Sequence, residues 1–297
     1  MVSDTVTKRM IRVTGGAFFA ALLLTGLSSQ ANSQELRTVK GLAMPESAVV
    51  GADGRIYVSE IGEFGKDGDG KITAIGESGK PEPFAQGMDD PKGLAEFNGV
   101  LYVADNKRIW KVDKQGVASV FVKAEAFPQP PLFLNDLTAD ASGNLYVSDT
   151  GDIEKGGKGA IFKITPAGAV SMVISEAQNP AIKSPNGLLD EGSGGGLLVV
   201  DFSTGDLLRL DVDKATIVKI AEGFGGGDGL AKDADGMLYI SDWKGGKAWK
   251  LNLKKEGSKP EPYSRSFASA ADIAMSRDGK FILVPDMKAG ELVWLPK

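Results

Sequence analysis

The sequence predicts an all-β fold, a six-bladed β-propeller with four-stranded antiparallel blades, and three observations predict it. One motif recurs six times at a spacing in the forties. Each copy holds two short apolar runs joined by a turn rich in Asp and Gly. Helical periodicity is absent between the copies.

The clearest copy is the stretch Gly227 to Asp242, GDGLAKDADGMLYISD. It reads as a polar residue, an apolar strand, an Asp-Gly turn and a second apolar strand ending in Asp. Asp-Gly suits a hairpin because both residues tolerate positive φ. The copies run from Glu46 to Glu60, Lys92 to Asp105, Asn135 to Asp149, Asn186 to Asp201, Asp228 to Asp242 and Asp272 to Asp286. Their starts lie 46, 43, 51, 42 and 44 residues apart. First and last residues are 14 apart in four copies, 13 in the second and 15 in the fourth. Those differences are assigned to the turn, where insertion costs little.

Third strands follow as alternating runs: Arg108 to Val112, Ala160 to Ile164, Asp206 to Leu210 and Lys247 to Leu251. Half-buried strands alternate in this way. Fourth strands are expected at Ala118 to Val122, Val170 to Ile174, Thr216 to Ile220 and Glu261 to Ser264. The last copy has room for only three strands: Asp272 to Ser276, Phe281 to Val284 and Glu291 to Leu295. A lone strand at Glu35 to Gly41 is expected to complete it, closing the ring and removing a sticky sheet edge. The loop Ala124 to Phe133 holds three prolines and is expected to be ordered or extended, not helical.

The 297 residues, 42% of them apolar, suffice for a large core, and the repeat assigns them to one closed domain over 34–297. Cysteine and histidine are both absent. Disulfides, thiol nucleophiles, Ser-His-Asp chemistry and imidazole metal ligands are thereby excluded. Chemistry must come from carboxylates, amides, Lys, hydroxyls or a bound ion.

Residues 1–33 read as a secretory signal peptide. Lys8, Arg9 and Arg12 make a basic front, Val13 to Leu27 is mostly apolar, and Ala31-Asn32-Ser33 offers a cleavage site before Gln34. The apolar run is short of the roughly 20 residues a membrane span needs. The expected location is secreted or periplasmic, with no stable membrane span after cleavage. Cleavage would remove three basic groups and one acid, taking the net charge from −5 to −7. That balance argues against nucleic acid as a partner, since binding it requires a basic face. A small-molecule substrate is expected instead.

In a propeller the first strand of each copy lines a central channel, so the copies' first residues form a ring at one mouth. That ring is expected to be Glu46, Lys92, Asn135, Asn186, Asp228 and Asp272. Asn and Asp also cap strand starts, which is the plain structural reading of each residue alone. Four oxygen-bearing side chains at one structural position, Glu46, Asn135, Asn186 and Asp228, point instead to a cation site of hard donors. Ca²⁺ suits such donors best. Mg²⁺ and Mn²⁺ are alternatives, and Zn²⁺ is less favoured without His or Cys.

On these residues the sequence resembles the SMP-30/gluconolactonase/LRE-like six-bladed propellers, which include regucalcin-type lactonases. More distantly it resembles the calcium-dependent phosphotriesterase and lactonase propellers. The resemblance is carried by Pro45-Glu46-Ser47, Leu134-Asn135-Asp136, Ser184-Pro185-Asn186-Gly187 and Gly227-Asp228-Gly229. It implies that Glu46, Asn186 and Asp228 bind a divalent ion. It places Asn135 near that ion and makes Asp228 the general base. The candidate substrate-binding residues are Lys92, Phe133 and Asp136, and Asp272 is a second candidate catalytic carboxylate.

Sugar-lactone hydrolases of this family carry Arg two positions before the third-blade Asn. Here that position is Phe133, between Leu132 and Leu134, which favours a less polar substrate ring. The His pair of paraoxonase-like relatives is absent. Lys92 is unexpected in the ring, and pairing with Glu46 or Asp272 is the favoured explanation.

The expected function is an exported, metal-dependent lactonase or esterase. The alternatives are an NHL-like binding module with a structural ion, or a phosphotriesterase-type hydrolase. Asp67-Gly-Asp-Gly70 lacks the Glu and helices of an EF-hand and is read as a turn. The acids ending the second strands are expected to bond backbone N–H groups in the following turn. The tryptophans are read as blade packing, with Trp243, just past a strand end, a candidate for exposure.

Overall fold

The computed structural model describes residues 36–192, 196–263 and 266–297. The signal-peptide reading over 1–33 lies outside the described residues, as does the end of the fourth strand expected at 264. No helix among the described residues is long and apolar enough to cross a membrane.

The chain forms six four-stranded antiparallel sheets arranged as propeller blades. Blade 1 comprises Pro45–Val50, Ile56–Glu60, Gly70–Ile75 and Pro81–Met88. Blade 2 comprises Pro91–Phe97, Val100–Asp105, Arg108–Val112 and Ala118–Val122. In blade 3 the strands are Leu134–Ala139, Leu145–Asp149, Ala160–Ile164 and Val170–Ser175. Blade 4 has Pro185–Asp190, Gly196–Asp201, Asp206–Asp211 and Thr216–Glu222. Gly227–Lys232, Met237–Asp242, Lys247–Asn252 and the short Glu261–Pro262 make blade 5. Blade 6 joins Ala274–Met275, Phe281–Asp286 and Glu291–Pro296 to the N-terminal strand Thr38–Lys40. That strand pairs antiparallel with Glu291–Pro296, so the two ends of the propeller share one sheet as expected.

Turn chemistry sets the hairpins. Asn98 and Gly99 both have positive φ, at 53° and 80°, in the two-residue connection of blade 2, as the tightest hairpin turns require. The proline-rich loop contains one 3-10 turn, Ala124–Ala126, where no helical segment was expected. Three residues are too few to need the periodicity that sequence reading detects.

Between blades, apolar faces interlock. Ile72 and Met88 of blade 1 pack with Leu94, Val103 and Val112 of blade 2. At the closure, Val39, Leu283 and Trp294 pack against Val58 and Ile75 of blade 1.

The inner strands share a register irregularity. The residue opposite the terminal acid pairs with it, and regular pairing resumes three residues later in blades 1 to 5. The acid then turns its carboxylate onto the backbone just ahead of its own inner strand. Asp105 accepts from the Asp89 and Asp90 N–H groups at 3.2 and 2.8 Å. Asp149 accepts from Leu132 and Phe133, Asp201 from Lys183 and Ser184, and Asp286 from Ala268 and Ser269. Glu60 and Asp242 hold Ala43 and Gly226 in the same way. The expected bonds to the following turn exist as well, from Gly151, Ser203, Thr204 and Gly245. The bonds ahead of the inner strand, which periodicity does not reveal, set where that strand begins.

One register differs from expectation. In blade 6 the residue opposite Asp286 is Ala270, which makes Ala271 the equivalent of Glu46 and Asp228. Asp272 lies one residue deeper. The cause is the turn: Ser276 bonds Phe281 across four residues, whereas Asp233 bonds Met237 across three. Counting 14 residues back from Asp286 therefore stops one residue short of the ring, at Asp272.

This second tier joins neighbouring blades. Asp136 accepts from the Leu188 N–H of blade 4 at 2.6 Å. Asp272 accepts from Ser47 Oγ of blade 1 at 2.6 Å, and Ser47 Oγ accepts in turn from the Leu94 N–H of blade 2. Both carboxylates need a glycine beside them. A Cβ on Gly93 would lie 2.5 Å from Asp136 Cα, and one on Gly229 2.5 Å from Asp272 Cα.

The acid clamp makes a stability prediction. Asp201→Leu strands the N–H groups of Lys183, Ser184, Ser203 and Thr204. Urea unfolding is expected to show a loss of at least about 3 kcal/mol, given about 1–3 kcal/mol for each buried unsatisfied group.

Candidate functional site

At one mouth of the channel lies a cavity of about 400 Å³. Glu46, Lys92, Asn135, Asn186 and Asp228 line it together, from five consecutive blades. These five of the six expected ring residues are brought together. The sixth place belongs to Ala271. Asp272 and Asp136 do not line this cavity; they border a second one, of about 360 Å³, with the apolar inner-strand residues Ala48, Leu94, Leu137 and Leu188. Phe133 does line the mouth cavity.

The four oxygen-bearing ring residues are nearly sealed, each between 3 and 6% exposed. Six buried side-chain N or O atoms among the described residues lack a hydrogen-bond partner. Four of them are Glu46 Oε2, Asn135 Oδ1, Asn186 Oδ1 and Asp228 Oδ1. Burying one such atom without a partner is costly, and natural folds rarely keep several in one place.

Their neighbours aim them. Asn135 Nδ2 donates to Thr150 Oγ1 at 3.0 Å, and that hydroxyl donates to the Pro185 carbonyl at 2.9 Å. This fixes the Asn135 amide with its oxygen free. The Asn186 amide favours the charged form of the Asp228 carboxylate, lowering its proton affinity.

Electrostatics tell the same story. Burial pushes the Glu46 carboxyl well above the usual carboxylate range, Asp228 and Asp272 push it further, and Lys92 pulls it back. Burial and Asp272 likewise raise Asp228. Burial carries Asp272 up to about 7, against the lowering effect of its bonds from Ser47 and Ile273. Asp136 is raised by burial and by Asp272. A site this rich in raised carboxylates lacks positive charge.

Lys92 supplies part of it. The side chain is 2% exposed. Burial lowers its affinity for a proton, and Glu46 is the largest influence restoring it. The expected pairing with Glu46 or Asp272 is not a contact: no ion pair within 4.0 Å involves Lys92 among the described residues. Instead Nζ donates to the Asp90 carbonyl at 2.9 Å and to Asn106 Oδ1 at 3.3 Å, and lies 4.3 Å from the Phe133 ring centroid.

The donor set fits a hard divalent cation. Two carboxylates and two amide oxygens, all partnerless and facing one cavity, match the oxygen chemistry of Ca²⁺, with water completing the shell. No cluster of three or more His, Cys, Asp or Glu side chains suited to a metal occurs among the described residues. The donors here are half amide, which such a cluster does not count.

The cavity's wall escaped sequence reading. It contains Ile61, Thr150, Phe202, Trp243 and Met287. Each directly follows the acid that ends a second strand. The signal was present in the repeat, one position past the acid, but reads there as ordinary turn sequence. Trp243 is thus a lining residue, not blade packing.

Comparison with known proteins agrees with the fold. A family model described as SMP-30/Gluconolactonase/LRE-like region matches residues 94–264, more than half the chain. The calcium-binding protein regucalcin from Agrobacterium tumefaciens superposes with a TM-score of 0.68 at 19% identity, covering 86% of this chain and 90% of that one. Selenomethionine-substituted virginiamycin B lyase from Staphylococcus aureus gives 0.59 at 18% identity, over 86% and 81%. A chain of a nidogen/laminin complex gives 0.58 at 18%, over 72% and 78%. No curated protein sequence matches significantly.

The raised carboxylates predict a pH dependence. Glu46, Asp136, Asp228 and Asp272 hold protons in the folded state that the unfolded chain releases near pH 4. Their contribution to stability is therefore complete below about pH 4 and declines as pH rises above it, that of Asp272 being lost through about pH 7. The cation-free protein is expected to melt at progressively lower temperature from pH 5 to pH 8. Added Ca²⁺ is expected to raise the midpoint more at pH 8 than at pH 5. Calorimetry with chelator and with Ca²⁺ measures both.

Proposed function

The chain belongs to the SMP-30/gluconolactonase/LRE-like family, and from that membership we propose that it is a divalent-cation-dependent hydrolase of lactones or related esters. The observation that carries this reading is the set of four partnerless buried oxygens on one small-molecule-sized cavity. The calcium-binding regucalcin neighbour supports calcium as the ion.

Glu46, Asn135, Asn186 and Asp228 would hold the cation. When bound, it supplies positive charge that polarises a carbonyl oxygen. The chain's own groups do the rest. Asp228 accepts the proton of the attacking water. The water oxygen bonds to the carbonyl carbon, and the bond from that carbon to the ring oxygen breaks. The departing oxygen takes up a proton, leaving a hydroxy acid. The Asn186 amide favours the charged, proton-accepting form of the Asp228 carboxylate. Lys92 has three N–H donors, two of them engaged by Asp90 and Asn106. The third is free to orient a carbonyl or carboxylate of the substrate. Asp272, expected as a second catalytic carboxylate, borders the other cavity, so proton transfer is assigned to Asp228. Asp136, expected to contact substrate, is assigned to holding blades 3 and 4 together.

Asp228→Asn and Asn186→Ala are expected to lower kcat/KM on a responsive lactone by at least about 10²-fold while circular dichroism stays native. Chelation is expected to abolish wild-type turnover and Ca²⁺ to restore it. Wild-type rates in chelator would rule the mechanism out. Calorimetric Ca²⁺ binding with no turnover across lactones, esters and phosphotriesters would point to a binding module instead.

We also propose that residues 1–33 direct export. N-terminal sequencing of protein from the extracellular or periplasmic fraction is expected to begin at Gln34.

A further inference from the structure

Above the oxygen ring stands a second ring, built by the same repeat. Ile61, Phe202, Trp243 and Met287 occupy the position after Glu60, Asp201, Asp242 and Asp286. Thr150 is the fifth member. The sixth, Asn106, turns to Asp90 and Lys92 instead.

The backbone pins these residues. Ile61, Thr150, Phe202, Trp243 and Met287 donate their N–H groups to the carbonyls of Met44, Phe133, Ser184, Gly226 and Ser269. Each acceptor lies two residues ahead of the ring position of the same blade. The wall is therefore fixed relative to the oxygens beneath it. Where the acceptor is small, at Ser184, Gly226 and Ser269, the opposing residue is large: Phe202, Trp243 and Met287. Where the acceptor is large, at Met44 and Phe133, it also lines the cavity.

Two loop residues, Phe64 and Ile153, carry the apolar wall to solvent, 51% and 53% exposed. Phe64 sits 6.2 Å from Phe133, and Phe202 6.2 Å from Trp243. Two polar groups of this ring are engaged, and Lys288, which also lines the cavity, holds its ammonium 4.1 Å from the Trp243 ring centroid. Thr150 Oγ1 is held between Asn135 and Pro185, and Trp243 Nε1 donates to Met287 Sδ at 3.4 Å. A polyhydroxylated ring would bury several hydroxyls against these apolar side chains without partners, which is unfavourable.

We propose that this second ring selects lactones or esters carrying an apolar substituent and excludes polyhydroxylated ones, the substituent lying between the Phe64–Phe133 and Phe202–Trp243 pairs. The proposal rests on the hydrolase reading for its chemistry, but its binding component does not.

The test has two arms. Hydrolysis is measured on a bare γ-lactone, a γ-lactone with a heptyl side chain, and glucono-δ-lactone. The heptyl lactone is expected to exceed the bare ring by at least 10-fold and gluconolactone by at least 100-fold in kcat/KM. Phe64→Ser, at an exposed position that leaves folding intact, and Phe202→Ala are expected to reduce the heptyl-to-bare ratio at least fivefold, chiefly through KM. In the second arm, 2-heptylcyclopentanone, which cannot be hydrolysed, is titrated against tryptophan fluorescence. Saturable quenching is expected, weakened by Phe64→Ser and Phe202→Ala. Gluconolactone turned over as well as the heptyl lactone, or no saturable ketone binding, overturns the proposal and leaves the hydrolase reading standing. Ketone binding weakened by both variants, with no lactone or ester hydrolysed, supports the apolar selectivity and removes the hydrolase reading.

Discussion

Each second strand ends in a buried acid whose carboxylate accepts hydrogen bonds from the backbone just ahead of the inner strand of its own blade. The rest of the site depends on this contact. It sets where the inner strand starts, and so which side chain falls at the ring. It also positions the residue after the acid, which forms the wall. One repeated interaction thus fixes the heights of both rings. Bonds to a charged acceptor are among the stronger hydrogen bonds available, and the buried ends satisfy several backbone donors at once.

The inner strands sort their side chains by depth. At the ring position the side chain faces the cavity and keeps an oxygen free, as Glu46, Asn135, Asn186 and Asp228 do. One residue further along it meets the neighbouring blade and is satisfied, as Ser47, Asp136 and Asp272 are. The same residue type therefore changes role with one step of register. Asp228 and Asp272 are both buried and both have raised proton affinity. Only Asp228 opens onto the candidate site. Proton affinity alone does not distinguish them; hydrogen-bond satisfaction does.

Much of this was legible in the amino-acid order. Strand pairs repeat with clear turn residues, so the blade count, the strand order and the closing N-terminal strand could all be read. Four of the ring oxygens could be read too, because Pro45-Glu46, Leu134-Asn135, Pro185-Asn186 and Gly227-Asp228 begin their strands in equivalent places. Asp272 was misplaced because a turn one residue longer, at Arg277 to Lys280, restores an apparent 14-residue spacing to the wrong neighbour. The contacts of Lys92 were not legible. They depend on Asn106, whose φ of 52° places its amide back over the strand start. Nor was the wall, since Phe202 and Trp243 follow their acids in what reads as turn sequence. Local pattern reveals strands well, but it does not show which loop side chains the ring brings together.

The two rings demand different things of a ligand, and this narrows what the cavity can accept. The lower ring combines partnerless oxygens with raised carboxylates and is relieved by positive charge. The upper ring is relieved by covering apolar surface. A hydrophilic cation complex would satisfy the first and leave Phe202, Trp243 and Met287 wet. An apolar ligand alone would cover the second and deepen the isolation of Glu46 and Asp228. Both are satisfied together by a cation below and, above it, a molecule with a polar carbonyl at one end and an apolar body at the other. Lys92 stands at the boundary, with its ammonium 4.3 Å from the Phe133 centroid; burial lowers its proton affinity, and Glu46 offsets part of that. A charge held there, between the ring of oxygens and the aromatic wall, faces the place where the polar end of such a ligand would meet its apolar body.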